Sequence, residues 1–359
     1  MINKEYIRAM PKIDLHCHLD GSLPSDTIIE LAKVSGIAVP DEPKAFQKSI
    51  MVPASCNSLS EYLGCFELAV SSLQRAENLY KAAFDLIVDV AKENVVHIEI
   101  RFAPLLHTYR NLSLHTIIDS VIQGARDAGK INGISVGIIL CAMRHDSYED
   151  NIRLLEAAEK FIGHGVVAMD LAGDEKMFPT SSHSKLFQQV KERCIPFTIH
   201  AGEADGPTSI DAAIDFGAKR IGHGIAMKDS VALMALCRKN NIGIELCPVS
   251  NLQTNTVSSW SDYPFRLFMN NDVPISINTD NRTVSQTSLT REFCELDKIY
   301  HLSTQEMEIL YRNAVKNAFL DEKQKHCLNS IYDKFLNSVE DIVNYISTKM
   351  CRNNMSDES

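Results

Sequence analysis

The chain has 359 residues, of which 45% are hydrophobic and 23% are charged, and its formal net charge at pH 7 is −10. This composition is typical of a globular protein with a large core and excludes a disordered body. The acidic balance and the lack of a Lys- and Arg-rich stripe argue against a nucleic-acid partner, because phosphate contacts need clustered positive charge.

The amino-terminal segment MINKEYIRAM lacks the apolar stretch of a signal peptide. No apolar run in the sequence is long enough to span a bilayer, so we expect no membrane partner and a cytoplasmic location. The ten cysteines contain no CxxC pair, and several lie inside apolar runs, which predicts reduced thiols in the core. Strand alternation should point Cys17 away from the histidines on either side of it.

Short apolar, β-branched runs recur along the chain and alternate with amphipathic helical patterns. The runs predict strands at 12–19, 95–103, 135–143, 166–173, 196–203, 220–225, 243–249 and 274–280. Helical patterns between them cover 113–130, 148–162, 184–193 and 230–241. This alternation predicts parallel βαβ units, and eight strands is the number that closes a barrel. We predict an α/β fold, a single (β/α)8 TIM barrel. An open doubly wound sheet is the alternative, although no glycine-rich dinucleotide fingerprint follows the first strand.

The segment between the first two predicted strands is too long for one crossover helix. Residues 58–73 and 76–94 predict two extra helices there. Apolar residues near helical spacing mark the first of them: Leu59, Leu63, Phe66 and Val70. These helices either enlarge the core or form a lid or pocket wall, because the segment leaves the catalytic end of the first strand.

The pattern after the eighth strand is helical to residue 346. We therefore predict one barrel domain over residues 1–346 that includes a helical C-terminal extension. Residues 347–359 are mostly polar and predict a disordered tail.

Polar side chains collect at the carboxyl ends of the predicted strands, where TIM-barrel enzymes place their working residues. They are His16, His18 and Asp20 at the end of the first strand, Gly173, Asp174 and Glu175 at the end of the fourth, His200 and Glu203 at the end of the fifth, His223 at the end of the sixth, and Asp280 and Asn281 at the end of the eighth. Four of the twelve histidines fall at these ends, which chance scatter would rarely produce.

Two histidines at positions i and i+2 of a strand share one face, so His16 and His18 can reach one ion. A third histidine and a carboxylate from other strands would complete a nitrogen-rich site that suits Zn²⁺. Glu203 lies three residues beyond His200 and can face the same cavity, where a desolvated carboxyl can hold and donate a proton. His223, between two glycines, can orient a water. Considered alone, Glu203 could instead be a carboxylate at the start of a helix, where it would interact favourably with the helix dipole. His223 could likewise be a residue of a turn.

Six short motifs in this order, HCHLDGS, MDLAGDE, IHAGE, IGHG, CPVSN and INTDN, resemble those of the adenosine deaminase family of metal-dependent amidohydrolases. The resemblance implies a (β/α)8 barrel that binds one zinc ion per chain. The implied ligands are His16, His18, His200 and Asp280, one protein ligand more than the usual catalytic zinc site. The implied reaction is the hydrolytic deamination of adenosine, and of 2′-deoxyadenosine, to inosine and ammonia in purine salvage.

The same resemblance implies a role for each site residue. Glu203 would protonate the purine N1 while a zinc-activated water adds to C6. His223 and Asp280 would position that water and move its proton. Three groups would hold the purine nucleoside: the N–H of Gly173 at N3, the carboxylate of Asp20 at a ribose hydroxyl, and the ring edge of His18.

The chain departs from the family pattern at Asn281, because typical members carry two consecutive aspartates where this chain has Asp280 and Asn281. The second of these residues would face the purine N7, which is a hydrogen-bond acceptor. An aspartate must hold a proton to donate there, whereas an asparagine amide donates at any pH. The contact can therefore survive, and the selectivity at N7 stays open.

Other functions remain as alternatives. The nearest is a deaminase of free adenine or of another modified adenosine, although relatives that act on the free base tend to carry Glu at the position of Asp20. A nucleotide substrate would need clustered Lys and Arg, and the strand ends show only scattered ones such as Arg282. A two-metal hydrolase would need a carrier Lys at a strand end, and the sequence shows none there. A non-enzymatic barrel would lack a metal ligand or Glu203, and the sequence has all of these residues. The exact nucleoside, the native metal and the oligomeric state stay open.

Overall fold

The computed structural model describes residues 2–53, 56, 62 and 64–356, and only the backbone over 340–356. The strands are β1 Lys12–His18, β2 Val95–Phe102, β3 Ser135–Met143, β4 Val166–Ala172, β5 Thr198–Ala201, β6 Arg220–His223, β7 Gly243–Leu246 and β8 Ile275–Ile277. Every predicted strand is confirmed. The last four are shorter than predicted, because the residues that follow them are also buried and the apolar pattern does not mark where the strand ends.

The strands form one closed parallel barrel. Neighbours pair in chain order from β1 to β4 and from β5 to β8. Bridges close both seams: Met169 pairs with Phe197 between β4 and β5, and Cys17 pairs with Asp280 just after β8. At the second seam the His18 N–H donates to the Asp280 carbonyl at 2.7 Å. The TIM-barrel prediction is therefore confirmed, and the open sheet is excluded.

Helices connect the strands and cover the outside of the barrel. They are α1 Lys4–Ala9, α2 Ser25–Ser35, α3 Pro43–Ile50, α4 Glu67–Ser72, α5 Ala76–Ala91, α6 Leu114–Asn132, α7 Tyr148–Glu159, α8 Ser184–Glu192, α9 Pro207–Phe216, α10 Val231–Asn240, α11 Pro248–Gln253, α12 Phe265–Asn270, α13 Leu289–Tyr300, α14 Thr304–Asn317 and α15 Glu322–Ser356. The four helices predicted between strands are confirmed as α6, α7, α8 and α10.

Helix α6 shows why these segments form helices. Its N-cap residue Ser113 accepts the N–H of Thr116 at 3.0 Å, and its C-cap residue Gly133 has φ +69°, a conformation that favours glycine. Ile118, Val121 and Ile122 lie on one stripe of the helix and are buried. The capped, amphipathic segment is therefore stabilised against the barrel along that stripe.

The insertion between β1 and β2 holds α2, α3, α4 and α5. The predicted helix over 76–94 is confirmed as α5. The predicted helix over 58–73 is confirmed only in its second half, and Leu59 and Leu63 lie outside the described residues. Helices α2 and α3 were not predicted. Phe66 and Val70 line the central cavity, whereas α5 packs against the barrel, so the insertion supplies both pocket wall and core.

Buried charges form a layer inside the barrel. Arg101 contacts Asp170 at 3.0 Å and Glu245 at 2.8 Å. Arg220 contacts the same Glu245 at 2.5 Å and Glu99 at 2.6 Å. All of these side chains are at most 1% exposed, and charges buried so deeply are stable only when they are paired. Two of the carboxylates in this layer also contact histidines of the site described below.

The final helix α15 is assigned to Ser356, beyond residue 346 where the sequence predicts its end. The division of the chain into a barrel over 1–346 and a tail over 347–359 stays a prediction. Of the helices in the described ranges, none combines the length and the apolar character that a membrane span requires.

Candidate active site

Four predicted metal ligands meet at the carboxyl end of the barrel. One ligand atom from each of His16, His18, His200 and Asp280 lies within 4.8 Å of the others. The Nε2 atoms of His18 and His200 are 3.2 Å apart, and Asp280 Oδ1 lies 3.4 Å from Nε2 of both His16 and His18. The alternation of β1 brings its two histidines to one side, as the sequence predicts.

Buried carboxylates orient two of these imidazoles. Nδ1 of His16 lies 2.8 Å from Glu245 Oε2, and Nδ1 of His200 lies 3.0 Å from Asp170 Oδ2. A carboxylate only accepts hydrogen bonds, so each Nδ1 carries the proton. Each Nε2 then presents its lone pair to the centre of the cluster, the arrangement that metal-ligating histidines use.

The donor set fits a metal ion of the zinc type. The Nε2 atom of His16 is buried and has no hydrogen-bond partner among the described residues. A buried nitrogen left without a partner is costly, and a cation at the centre would remove that cost. Three imidazole nitrogens and one carboxylate oxygen are ligands that zinc prefers.

A cavity of ≈ 240 Å³ opens beside the cluster. Its polar lining consists of His18, Asp20, Gly173, His200, Glu203, His223, Asp280 and Asn281, and its apolar lining includes Tyr62, Phe66, Leu106 and Met143. The structure therefore brings every predicted catalytic and substrate-binding residue to one cavity. Their individual roles stay predictions.

Glu203 lies in this cavity with its side chain only 12% exposed, and its Oε2 is 3.5 Å from Nε2 of His223. Burial, followed by the negative charge of Asp280, raises the pKa of the Glu203 carboxyl to about 8. A carboxyl with this pKa keeps its proton at neutral pH. It has the property that a general acid requires.

Glu175 holds the loop that carries Glu203. Its carboxylate accepts the backbone N–H groups of Gly202 at 2.6 Å, Glu203 at 3.0 Å, Ala204 at 2.7 Å and Asp205 at 3.1 Å. Four charge-assisted hydrogen bonds from consecutive residues constrain the loop strongly. The sequence places Glu175 at a strand end but does not reveal this function.

His223 lies against the metal cluster without being one of its predicted ligands. Its ring centroid is 4.8 Å from that of His16 and 5.2 Å from that of His200. A Cβ atom at Gly222 would lie 3.1 Å from His16 Cε1, so glycine permits this close approach. Nδ1 of His223 lies 3.0 Å from Nδ2 of Asn251.

Asp20 is buried in the cavity wall, where its Oδ1 accepts the N–H of Gly21 at 3.1 Å. Burial raises the pKa of the Asp20 carboxyl to about 6. Gly173 has φ +105°, a conformation that glycine adopts readily, and its backbone borders the cavity. Both residues are positioned to contact a ligand.

The hydroxyl group of Tyr62 positions the side chain of Asn281. Its Nδ2 donates to the Tyr62 hydroxyl at 3.0 Å, and that hydroxyl lies 2.7 Å from Ser285 Oγ. Asn281 Oδ1 is buried without a partner among the described residues, and a Cβ atom at Gly21 would lie 1.9 Å from it. Because an amide nitrogen carries two hydrogens, one N–H remains for a ligand.

Several supporting residues were not predicted. Asp170 and Glu245 could have been suspected, because each is a charge inside an otherwise apolar strand and must find a partner there. Ser250 donates to Asp280 Oδ2 at 2.6 Å, and it belongs to the CPVSN motif for which the sequence suggests no role. Tyr62 is uncharged and gives no such signal in the sequence.

Comparison with known proteins decides the family. Residues 11–335 match the family model described as adenosine deaminase. The chain belongs to the adenosine deaminase family. An adenosine deaminase of Enterococcus faecalis is 40% identical to it over 328 residues, which cover 91% of this chain and 97% of that protein. This family member is therefore a hydrolytic deaminase.

Solved structures of the family's fold agree. The N6-mAMP deaminase of Arabidopsis thaliana is 29% identical, with a TM-score of 0.83 and coverage of 92% of this chain and 99% of that one. The adenine deaminase of Arthrobacter aurescens has a TM-score of 0.84 at 22% identity, with coverage of 91% and 99%. The second comparison concerns the fold alone.

Proposed function

We propose that this deaminase converts adenosine, and 2′-deoxyadenosine, to inosine or deoxyinosine and ammonia, a reaction of purine salvage. The observation that carries the proposal is the single cavity shared by the His and Asp cluster, a proton-holding Glu203 and a buried Asp20. The similarity to the adenosine deaminase of Enterococcus faecalis supports it. The cytoplasmic location stays a prediction from the amino-terminal sequence.

We infer that the metal is one Zn²⁺ per chain, held by His16, His18, His200 and Asp280. When bound, zinc would lower the pKa of water to roughly 7 and so supply hydroxide at neutral pH. The carboxylates of Glu245 and Asp170 accept the Nδ1 protons of His16 and His200. This keeps the Nε2 atoms of both rings directed at the metal site.

The protein's own groups perform the rest of the chemistry. Glu203 donates its proton to the purine N1, which makes C6 more electrophilic, and general acid catalysis of this kind contributes typically ~10²–10⁴-fold. His223 and Asp280 orient the attacking water, and the carboxylate of Asp280 accepts a proton from it. The water oxygen bonds to C6, and Asp280 passes the proton it has accepted to the amino group. The bond between C6 and the amino nitrogen then breaks, ammonia leaves, and the remaining hydroxyl proton returns to Glu203 as the C6 carbonyl forms.

Two further groups hold the substrate. The Gly173 N–H bonds the purine N3, and Asp20 accepts a ribose hydroxyl. The apolar walls at Phe66, Leu106 and Met143 exclude bulk water from the base, which strengthens each of these polar contacts.

A nucleotide substrate is disfavoured by the lining of the cavity. Among its described residues there is no Lys or Arg. A 5′-phosphate would need such a partner, since phosphate recognition depends on charge-assisted hydrogen bonds. The N6-mAMP deaminase of Arabidopsis thaliana therefore indicates the fold of this chain but not its substrate.

Product analysis of the zinc-loaded protein with adenosine tests the proposal. We expect inosine and ammonia in equal amounts, and no turnover after the metal is removed by a chelator. Folded, zinc-loaded protein that leaves adenosine unchanged but deaminates adenine or N6-methyl-AMP would refute it.

Metal analysis should find one zinc per chain, because four ligands converge on one point. His200→Ala removes one ligand and should lose most of the zinc during purification. The matched control is His164→Ala, at an exposed histidine remote from the cluster, which should keep the wild-type content. A His200→Ala variant that retains full zinc stoichiometry would show that the ligand assignment is wrong.

The contact between Asn281 and N7 predicts a slow reaction with 7-deazaadenosine, which has a C–H at that position. Loss of a neutral hydrogen bond that leaves a buried partner costs roughly 1–3 kcal/mol, or about tenfold to a hundredfold in kcat/KM. Asn281→Ala should lower kcat/KM for adenosine by a similar factor.

The loss caused by Asn281→Ala and the loss caused by 7-deazaadenosine should not multiply, because both changes remove the same contact. The variant should therefore lose little further activity when it is given 7-deazaadenosine. Losses that multiply fully would show that Asn281 does not touch N7.

A further inference from the structure

Three histidines at the barrel's catalytic end, His16, His200 and His223, differ in the group that faces Nδ1. For His16 and His200 that group is a buried carboxylate, at 2.8 Å and 3.0 Å. For His223 it is the amide nitrogen of Asn251, at 3.0 Å. The rings themselves are equally close, since the centroid of His16 is 4.6 Å from that of His200 and 4.8 Å from that of His223. Proximity therefore does not distinguish His223 from the ligands, whereas the chemistry at Nδ1 does.

The Asn251 amide contacts Tyr263 through its oxygen. The Tyr263 hydroxyl donates to Asn251 Oδ1 at 3.2 Å. Asn251 is fully buried and Tyr263 is 3% exposed, so water does not compete for these atoms. With its oxygen toward Tyr263, the amide presents its nitrogen to His223, at 3.0 Å from Nδ1. An amide nitrogen only donates, so Nδ1 of His223 has to accept.

We infer that Asn251, oriented by Tyr263, holds neutral His223 in the tautomer that carries its proton on Nε2. This tautomer is the opposite of the one that the carboxylates impose on His16 and His200. Its Nε2 has no lone pair to offer a cation, which explains why His223 lies against the metal cluster and yet is not a ligand. Asn251 is in this sense a positioning residue that gives His223 a different function from the ligands His16 and His200.

The consequence for catalysis rests on the proposed function. With Nε2–H facing the cavity, His223 donates a hydrogen bond to the attacking water and to the negative charge that develops on its oxygen. It does not accept the proton of that water, which is left to the carboxylate of Asp280. The wrong tautomer of a catalytic histidine is known to cost about 10⁴-fold in the serine protease triad.

Nitrogen NMR of full-length, zinc-loaded protein with ¹⁵N-labelled histidine tests the tautomer without substrate. Protonated and bare ring nitrogens have well-separated shifts, and the His223→Gln spectrum identifies the His223 signals. We expect Nε2–H in the wild type. Asn251→Asp places a group that only accepts against Nδ1 and should move the proton there. Tyr263→Phe, which frees the amide to turn, should give a mixture.

Matched variants separate the tautomer from a general structural effect. Asn270→Asp makes the same chemical change at an exposed position and should leave the spectrum unchanged. Asn251→Ser keeps a hydroxyl that can donate to Nδ1, so it should retain the Nε2–H form even if Asn251→Asp does not fold. Nδ1–H in the wild type, or in Asn251→Ser, would overturn the inference.

Kinetics with adenosine complete the test. Asn251→Asp should keep its zinc and its KM while kcat falls by roughly 10²–10⁴-fold, and Asn251→Ser should recover much of that loss. A shifted tautomer with unchanged kcat would overturn the catalytic consequence. A wild type that shows Nε2–H but does not turn over adenosine would refute the proposed substrate and leave the tautomer assignment supported.

Discussion

Replacement of Glu203 by Gln should lower kcat for adenosine by roughly 10²–10⁴-fold, the usual contribution of a general acid. Glutamine has nearly the same shape but carries no proton that it can release to N1. Glu203 lies in the cavity, and burial raises the pKa of its carboxyl, which favours the protonated form that can donate to N1. The variant should still bind zinc and nucleoside, which metal analysis and binding of a slow substrate can show.

The control is Glu149→Gln, the same substitution at an exposed helical position. It should have wild-type kinetics. A Glu203→Gln variant within about twofold of the wild type would mean that Glu203 is only structural and that the proton comes from another group.

Free adenine should be a far poorer substrate than adenosine, and Asp20 is the reason. A site built to bond a substrate hydroxyl rejects an analogue that lacks it by roughly 10⁴–10⁵-fold, because a buried polar group is left without a partner. Asp20 is buried, and one of its oxygens already accepts the Gly21 N–H. The measurement is the ratio of kcat/KM for the two substrates.

The Asp20→Ala variant should lose most of its activity with adenosine. Its ratio of kcat/KM for adenosine to kcat/KM for adenine should therefore be smaller than that of the wild type. Asp20→Asn, which keeps an oxygen acceptor of the same shape, should lose less. Equal kcat/KM for adenine and adenosine in the wild type would favour the alternative function, deamination of the free base.

The fold could be predicted because its signals are local. Runs such as 135–143 are apolar and β-branched over the length of one strand, and eight of them alternate with helices. Helices α2 and α3 lacked that regularity, because they are short and lie in a long insertion punctuated by proline. The strand count predicted that the barrel closes, but it did not predict that Cys17 and Asp280 form the closing bridge.

The candidate site could be predicted as far as it depends on strand ends. His16 and His200 lie near the carboxyl ends of parallel strands and Asp280 follows another, and the fold brings such ends to one edge. The partners of these residues could not be predicted, because Glu245 and His16 are 229 positions apart in the chain and no local pattern in the sequence records their contact. No local pattern records the approach of Tyr263 to Asn251 either.

The central claim is that the shared cavity selects an adenine nucleoside, and the most direct test is one set of steady-state measurements. The zinc-loaded protein should be given adenosine, 2′-deoxyadenosine, adenine and AMP under identical conditions, with ammonia release followed for each. We predict efficient turnover of the two nucleosides and kcat/KM values for adenine and AMP that are lower by orders of magnitude. Turnover of adenine or AMP that equals or exceeds that of adenosine would contradict the account.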